Sequence, residues 1–226
     1  MKSSWPRAVY RRVKRLLGRE PDGFLRSVSG VIHVGANDGE ERVAYDKFGL
    51  RVLWVEPIPT VFEQLESNLA PFPKQRAVQA LVTDRDDRAY EFHISNNEGK
   101  SSSILDLKEH RDIWPGVQYT KTLSLQGVTL PSLLQRHEID PAAYDALIMD
   151  TQGSELLVLQ GAEALLPQFQ FIKAEVADFE AYAGCCQLAD LDAFMTGHGF
   201  KTYSKTPFAR RAEGGAYYDV TYRRNA

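Results

Sequence analysis

The stretch Val31-Ile32-His33-Val34-Gly35-Ala36-Asn37-Asp38-Gly39 decides how this chain is read. A short apolar run ends abruptly at glycine, and small polar residues lead from it toward a helical pattern over 40–48. That is a strand, a tight turn and a helix. Glycine at 35 allows a sharp turn and lets a ligand come close to the backbone. Working outward, 52–55 reads as a second strand that ends at Glu56-Pro57. A helix follows over 59–69, with Val61, Phe62, Leu65 and Leu69 in period. Residues 77–82 make a third strand, and 144–149 another, closed by Asp150. An apolar-rich helix over 154–166, a buried strand over 169–176 and a helix over 188–198 come next, and 200–203 and 217–222 close the pattern. Repeated βα units predict an α/β fold, with a mainly parallel sheet and helices on both faces. Ligands of such sheets bind at the open ends of the strands.

Glu56 lies 21 positions after Gly35, at the end of the second strand. An acid there is suited to accept hydrogen bonds from ribose hydroxyls, and it disfavours a 2′-phosphate. Position 37 is Asn, where a dinucleotide site has a second glycine against the pyrophosphate. NAD and FAD therefore fit poorly, NADP more poorly still, and a nicotinamide-dependent oxidoreductase ranks third among the readings. A ligand with adenine and ribose but no phosphate, such as S-adenosylmethionine, fits better.

Residues 84–130 interrupt the alternation. They hold two strand-like pieces, 90–94 and 122–125, around the polar run Ser95-Asn96-Asn97-Glu98-Gly99-Lys100-Ser101-Ser102-Ser103. An insert of that length in a compact domain suggests a substrate or lid region. The 95–103 loop is expected to cover the ligand, re-anchored by Ile104 and Leu105; the alternative is an exposed hairpin tip with solvated serines.

The charge is divided along the chain. Residues 1–20 carry a net +6, and the remainder −9. Trp5, Val9, Val13, Leu16 and Leu17 share one helical face in that basic segment. The segment reads either as a helix packed on the domain edge or as a weak contact with an anionic membrane surface. The organisation is thus a basic helix and connector over 1–29 and one domain over 30–226. An acidic body argues against nucleic acid as a partner. The longest uncharged run, 122–135, contains Gly127 and Pro131 and cannot span a bilayer. Cys185 and Cys186 are adjacent, which suits neither a structural disulfide nor a zinc site. Reduced thiols and the lack of an apolar core after the N-terminal charges predict a cytoplasmic protein.

Three segments carry a family likeness: V-I-H-V-G-A-N-D-G-E at 31–40, L-W-V-E-P-I-P at 53–59 and D-A-L-I-M-D-T-Q-G-S-E-L-L-V-L-Q-G-A at 145–162. Together they resemble the FkbM family of S-adenosylmethionine-dependent methyltransferases over roughly 30–205, the third segment being the most specific. The resemblance implies a Rossmann-like class I methyltransferase fold, with seven strands and an antiparallel last strand. It also implies methyl transfer to a hydroxyl oxygen. Carried over residue by residue, Gly35, Ala36 and Asn37 line the methionine part of the cofactor, and Glu56, with Pro57 beside it, holds the ribose. Asp84 sits near the adenine, and Asp150 stands beside the reacting centre. Apart from the resemblance, the hydroxyls and backbone N–H groups of Ser101 to Ser103, Ser102 among them, are expected to meet the cofactor's carboxylate or the acceptor. His33 stands where methyltransferases often carry an acid, and reads either as a cofactor-site residue or as a core histidine with satisfied partners.

Methyl transfer to an aliphatic hydroxyl needs positioning and benefits from a base. Asp150 and Glu175 end predicted core strands and are the leading candidates, ahead of Asp178 and His198. Glu175 is equally well read as a structural partner of Lys173. The two strand-end carboxylates would also suit a divalent cation, but with only two ligands in view none is predicted. Phe92, Trp114, Tyr119 and Tyr182 are candidate platforms for a sugar ring, or plain core. The chain lacks the Asn/Asp-Pro-Pro-aromatic tetrad and the Pro-Cys nucleophile of nucleobase methylation. The expected function is O-methylation of a sugar or polyketide-like small molecule or glycan, a sugar first. A cofactor-binding module without turnover is the runner-up.

Overall fold

The computed structural model describes residues 22–225. The basic segment 1–20, and its expected helix and membrane contact, lie outside the described residues. The strands are β1 (Gly30–Val34), β2 (Arg51–Glu56), β3 (Gln75–Gln79), β4 (Leu81–Val82), β5 (Ala89–Ser95), β6 (Tyr119–Val128), β7 (Ala146–Met149), β8 (Phe171–Ala177), β9 (Phe200–Arg210) and β10 (Ala216–Arg224). The α-helices are α1 (Arg42–Lys47), α2 (Pro59–Leu69), α3 (His110–Ile113), α4 (Leu130–Arg136), α5 (Glu155–Gly161) and α6 (Leu188–Gly197). Seven strands form one sheet in the order β3-β2-β1-β7-β8-β10-β9. The first five in that order pair in parallel, and β10 runs antiparallel to both β8 and β9.

Strand periodicity sends alternate residues to opposite faces and so builds two cores. Ile32, Val34, Leu53, Val55, Leu147 and Met149 pack on one face, with the apolar sides of α4, α5 and α6. Val31, Val52, Trp54, Ala146 and Ile148 pack on the other, with Tyr45 of α1 and Leu65 and Leu69 of α2. Phe24 and Leu25, from a 3₁₀ turn ahead of β1, complete this second core. The connector therefore belongs to the packed domain. Lys173 fastens it further through an ion pair of 2.8 Å with Asp22.

The third strand is not continuous. It breaks at Ala80: β3 stays in the main sheet, while Leu81 and Val82 pair with Gly127 and Val128 of β6. Both residues are buried on consecutive positions, which one half-buried strand cannot achieve. Leu81 faces a small core with Ile58 and Phe92, and Val82 faces the main one. The insert is more ordered than its composition suggests, with β5 and β6 forming an antiparallel hairpin beside β4. Helix α4 was not among the elements expected from the sequence. Thr129 caps it, Pro131 sits in its first turn, and Leu130, Leu133 and Leu134 bury one face.

The expected helix over 154–166 stops at Gly161, and a 3₁₀ segment, Glu163–Gln168, follows. The end of α5 rests on the backbone beyond β4: a Cβ on Gly161 would lie 2.0 Å from the Thr83 carbonyl oxygen. Gly161→Ala should therefore destabilise the fold by about 1–3 kcal/mol in urea unfolding, because the helix must shift. Gly197→Ala, at a helix position with open space around it, should instead stabilise by about 0.4–1 kcal/mol. Equal effects would contradict the close approach of α5.

Candidate functional site

The strand order reverses between β1 and β7, and the open ends of β1, β2 and β7 meet there at a cleft. Its empty space, counting that open to solvent, is about 620 Å³. Gly35, Asn37, Glu56 and Pro57 form one wall, and Asp150, Thr151 and Gln152 another. Ile58, Leu81, Val82 and Phe92 make an apolar end, and Gly99, Lys100 and Ser102 come down from the insert.

The turn after β1 is held by its surroundings. The Gly35 and Ala36 N–H groups both donate to the Val55 carbonyl, at 3.0 and 3.1 Å. Gly35 has φ +79°, and a Cβ there would lie 2.0 Å from the Asp150 carbonyl oxygen. Glycine is needed because two strand ends meet backbone to backbone. Glu56, 4% exposed, accepts from the Asn37 N–H at 2.8 Å through one oxygen and from the Ile58 N–H at 2.9 Å through the other. It thus fixes both the turn and the start of α2. Burial nonetheless pushes its carboxyl up to about 7.

The loop after β7 has a similar anchor. Glu155, 1% exposed, accepts from the Thr151 N–H at 2.9 Å, the Thr151 hydroxyl at 3.1 Å and the Gly153 N–H. Burial raises this carboxyl to about 7 as well. Inside the loop, the Gln152 side-chain amide donates to Asp150, and its carbonyl accepts from the Tyr182 hydroxyl at 2.6 Å. The Ser103 hydroxyl donates to the Gln152 backbone carbonyl at 2.8 Å, tying the insert to the loop.

The 95–103 segment lies across the cleft. Its four serines, Ser95, Ser101, Ser102 and Ser103, are buried rather than solvated. Ser102 Oγ accepts from the Ser95 N–H at 3.0 Å, and Ser101 Oγ accepts from Asn97 Nδ2 at 2.9 Å. Asn37 Nδ2 reaches the Glu98 carbonyl at 3.1 Å, and Lys100 pairs with Glu40 and Glu98, each at 3.2 Å. Buried His110 of α3 meets the Ser101 hydroxyl at 3.2 Å and the Tyr217 hydroxyl at 2.7 Å, and burial lowers its pKa to about 4.

Of the residues expected from the sequence, Gly35, Asn37, Glu56, Pro57, Ser102 and Asp150 line this one cleft. Others stand elsewhere. His33 points into the second core, stacked on Trp54 at 4.8 Å and bonded to the Tyr45 hydroxyl at 3.1 Å. Burial lowers its pKa to about 4, so it is neutral. The Ala36 side chain is buried in that same core. Asp84 accepts from the Tyr90 hydroxyl at 2.8 Å and from Arg85, outside the cleft walls. Glu175 faces a neighbouring smaller cavity, and Lys173 pairs with Asp22 and Asp219. Asp178 braces β10 through the Ala216 N–H at 2.7 Å. His198 pairs with Glu163 at 2.9 Å. Phe92 reaches the cleft, whereas Trp114 and Tyr182 sit in an aromatic cluster with Tyr217. Tyr119 stacks on His93. Gln152, Glu155 and His110 were given no site role from the sequence, although the first two belong to the most specific of the three family segments. Among the described residues no cluster suited to a metal ion is found, and no helix is long and apolar enough to cross a membrane.

A family model described as the methyltransferase FkbM domain matches residues 33–202. No curated protein sequence gives a significant match. Among solved structures, an uncharacterized protein from Listeria monocytogenes serotype 4b aligns with a TM-score of 0.52 at 9% identity, covering 92% of this chain and 68% of that one. Precorrin-6y C5,15-methyltransferase from Geobacter metallireducens aligns with a TM-score of 0.50 at 13% identity, covering 97% and 87%. TrmK of M. capricolum, in complex with S-adenosylhomocysteine, gives 0.50 at 6% identity, covering 87% and 62%. At these identities the likeness is one of fold, that of the class I methyltransferases.

The two buried acids set a pH dependence. Each carboxyl is raised from an ordinary 4.5 to about 7 in the folded chain. Their contribution to stability is therefore full below pH 4.5 and is lost as pH rises through about 7. Unfolding free energy should fall across that window by on the order of 3 kcal/mol per carboxyl. The Glu56→Gln and Glu155→Gln variants should each flatten the slope in urea titrations between pH 5 and about 7.5. A slope unchanged in both would mean that neither acid is held protonated by burial.

Proposed function

The chain belongs to the FkbM family of S-adenosylmethionine-dependent methyltransferases, and we propose that it is a cytoplasmic O-methyltransferase acting on a hydroxyl of a small molecule or glycan, a sugar rather than a polyketide. The observation that carries this reading is the pair of acidic side chains, Glu56 and Asp150, that line one cleft at the strand switch point. The family's cofactor fits these walls. Each Glu56 oxygen has taken one backbone N–H and keeps a further lone pair, which suits the two adjacent hydroxyls of a ribose. Ile58, Leu81, Val82 and Phe92 form an apolar slot for a flat base at the same end. The bound cofactor supplies an electrophilic methyl group on a cationic sulfur.

Asp150 is the group that favours positive charge at the other end of the cleft, by simple Coulomb attraction. Its carboxylate is also the base that takes the acceptor's hydroxyl proton as the oxygen becomes nucleophilic. Gln152, donating to Asp150, holds that carboxylate in place. The 95–103 segment and its buried serines keep water out of the reacting end, which strengthens both charge effects.

Two measurements test this. Glu56→Gln keeps the shape but removes a charged acceptor, so affinity for S-adenosylhomocysteine in calorimetry should fall roughly 10- to 100-fold. An unchanged dissociation constant would place the ribose elsewhere. Labelled methyl from S-adenosylmethionine should enter sugars as a base-stable ether, and Asp150→Asn should lower kcat by roughly 100-fold or more. Label found only as a base-labile ester, or on nitrogen, would overturn O-methylation of a hydroxyl.

A further inference from the structure

The edge of the main sheet where its parallel strands begin is basic. Arg51 opens β2, and Lys74 and Arg76 flank Gln75, the first residue of β3. Strand β10 runs antiparallel to β8, so it ends at that same edge, on Arg223 and Arg224, with Lys201 of β9 opposite Arg223. All six residues are exposed, and none of them forms an ion pair among the described residues. We infer that this edge is a docking surface for an anionic phospholipid bilayer, to which the basic segment 1–20 adds its own charge. The inference does not depend on the methyltransferase reading of the cleft.

Spacing argues for a surface first. The two basic clusters stand at β2 and β10, four strand separations apart in the sheet order, which is about 19 Å. The Debye length in physiological salt is about 8 Å, so one small anion meets one cluster, whereas a flat charged surface meets both. Polarity argues next. The far ends of the strands lead into acids: Glu56 closes β2, Asp150 follows β7 and Asp178 follows β8. An anionic surface is therefore drawn to one edge of the sheet and repelled from the other. Asp46 near the end of α1, and Asp140 and Asp145 ahead of β7, leave the six cations in excess. Asp145 is also engaged, accepting from the Ser29 N–H at 2.9 Å and from the Gln170 amide at 3.2 Å.

Apolar contact distinguishes a bilayer from a nucleic acid. Tyr203 of β9 is 44% exposed, and the Arg223 guanidinium lies over its ring at 5.8 Å. A tyrosine among cations suits a membrane interface, where the ring enters the headgroup layer and the charges meet phosphate. The described chain begins close by. Asp22 pairs with Lys173, and Phe24 packs on Phe171, whose ring meets Tyr203 at 5.4 Å. Residues 1–20 carry a net +6, with Trp5, Val9, Val13, Leu16 and Leu17 in helical period in the sequence. A duplex has no apolar layer for such positions to enter, and a bilayer has one. The cleft opens at the opposite ends of the strands, so docking leaves it facing away from the lipid, toward molecules arriving from solution.

Co-sedimentation of the full chain with vesicles tests this. Vesicles of phosphatidylcholine and phosphatidylglycerol in equal parts should bind it, vesicles of phosphatidylcholine alone should not, and added salt should weaken the binding. Each cation at an anionic surface is worth about a fivefold change in affinity. The double variants Arg51→Gln/Arg76→Gln and Arg223→Gln/Arg224→Gln should therefore each bind roughly 20- to 30-fold more weakly. Their unfolding midpoints in urea should match the parent's, and Arg223→Lys/Arg224→Lys should keep the binding, since charge and not shape is read. Equal binding to phosphatidylcholine alone, no binding to the mixed vesicles, or a glutamine double variant that binds as the parent does would each overturn the proposal. Release from the mixed vesicles by duplex DNA at equal phosphate concentration would also overturn it, in favour of a nucleic acid.

Discussion

Two backbone N–H groups converge on the buried carboxylate of Glu56, and the cleft depends on that convergence. One comes from Asn37 in the turn after β1, the other from Ile58 at the head of α2. The same turn lies so close to the Asp150 carbonyl that no side chain fits at Gly35. Three strand ends are thereby locked together by one acid and one missing Cβ. A charged group in so enclosed a place is expensive, which is why its proton is held up to about neutral pH. On the proposed reading, the two hydroxyls of a ribose are further donors to this group.

The insert completes what the strand ends begin. Its loop bonds to the first turn through Asn37 and Glu98, and to the loop after β7 through Ser103 and Gln152. It thus ties together the two backbone segments that meet at the cleft. His110 and Tyr217 carry the same connection outward to the last strand. A polar, glycine-containing segment can do this because its serines are satisfied by one another and by neighbouring backbone, rather than by water.

Much of this was legible from local pattern. Gly35, Asn37, Glu56 and Asp150 could be placed together because strand ends in an α/β sheet meet at the switch point, whatever the side chains between them. Other expected site residues lie outside the cleft for reasons that local pattern does not contain. His33 alternates with Val34 on β1 and so faces the aromatic core of Trp54 and Tyr45. Asp84 is carried away from the apolar end because the strand ahead of it breaks at Ala80 and joins the insert. Glu175 lies within β8, two residues short of its end at Ala177, and lines a smaller neighbouring cavity rather than the cleft. The pairings of Gln152 with Tyr182 and of His110 with Tyr217 join residues 30 and 107 positions apart, beyond any periodicity. The order of the serine loop was hidden by composition, since polar residues bury well once they bond to each other.

The arrangement as a whole separates three tasks among three acids. On the proposed reading Glu56 holds the cofactor's ribose and Asp150 serves the reaction, while Glu155 keeps the loop between them in shape. The measurement that tests this most directly is a crystal structure with S-adenosylhomocysteine bound. The expected result is a ribose whose two hydroxyls reach Glu56, with the sulfur beside Asp150 and Gln152. A ribose bound away from Glu56, or a sulfur at the Phe92 end of the cleft, would contradict the assignment.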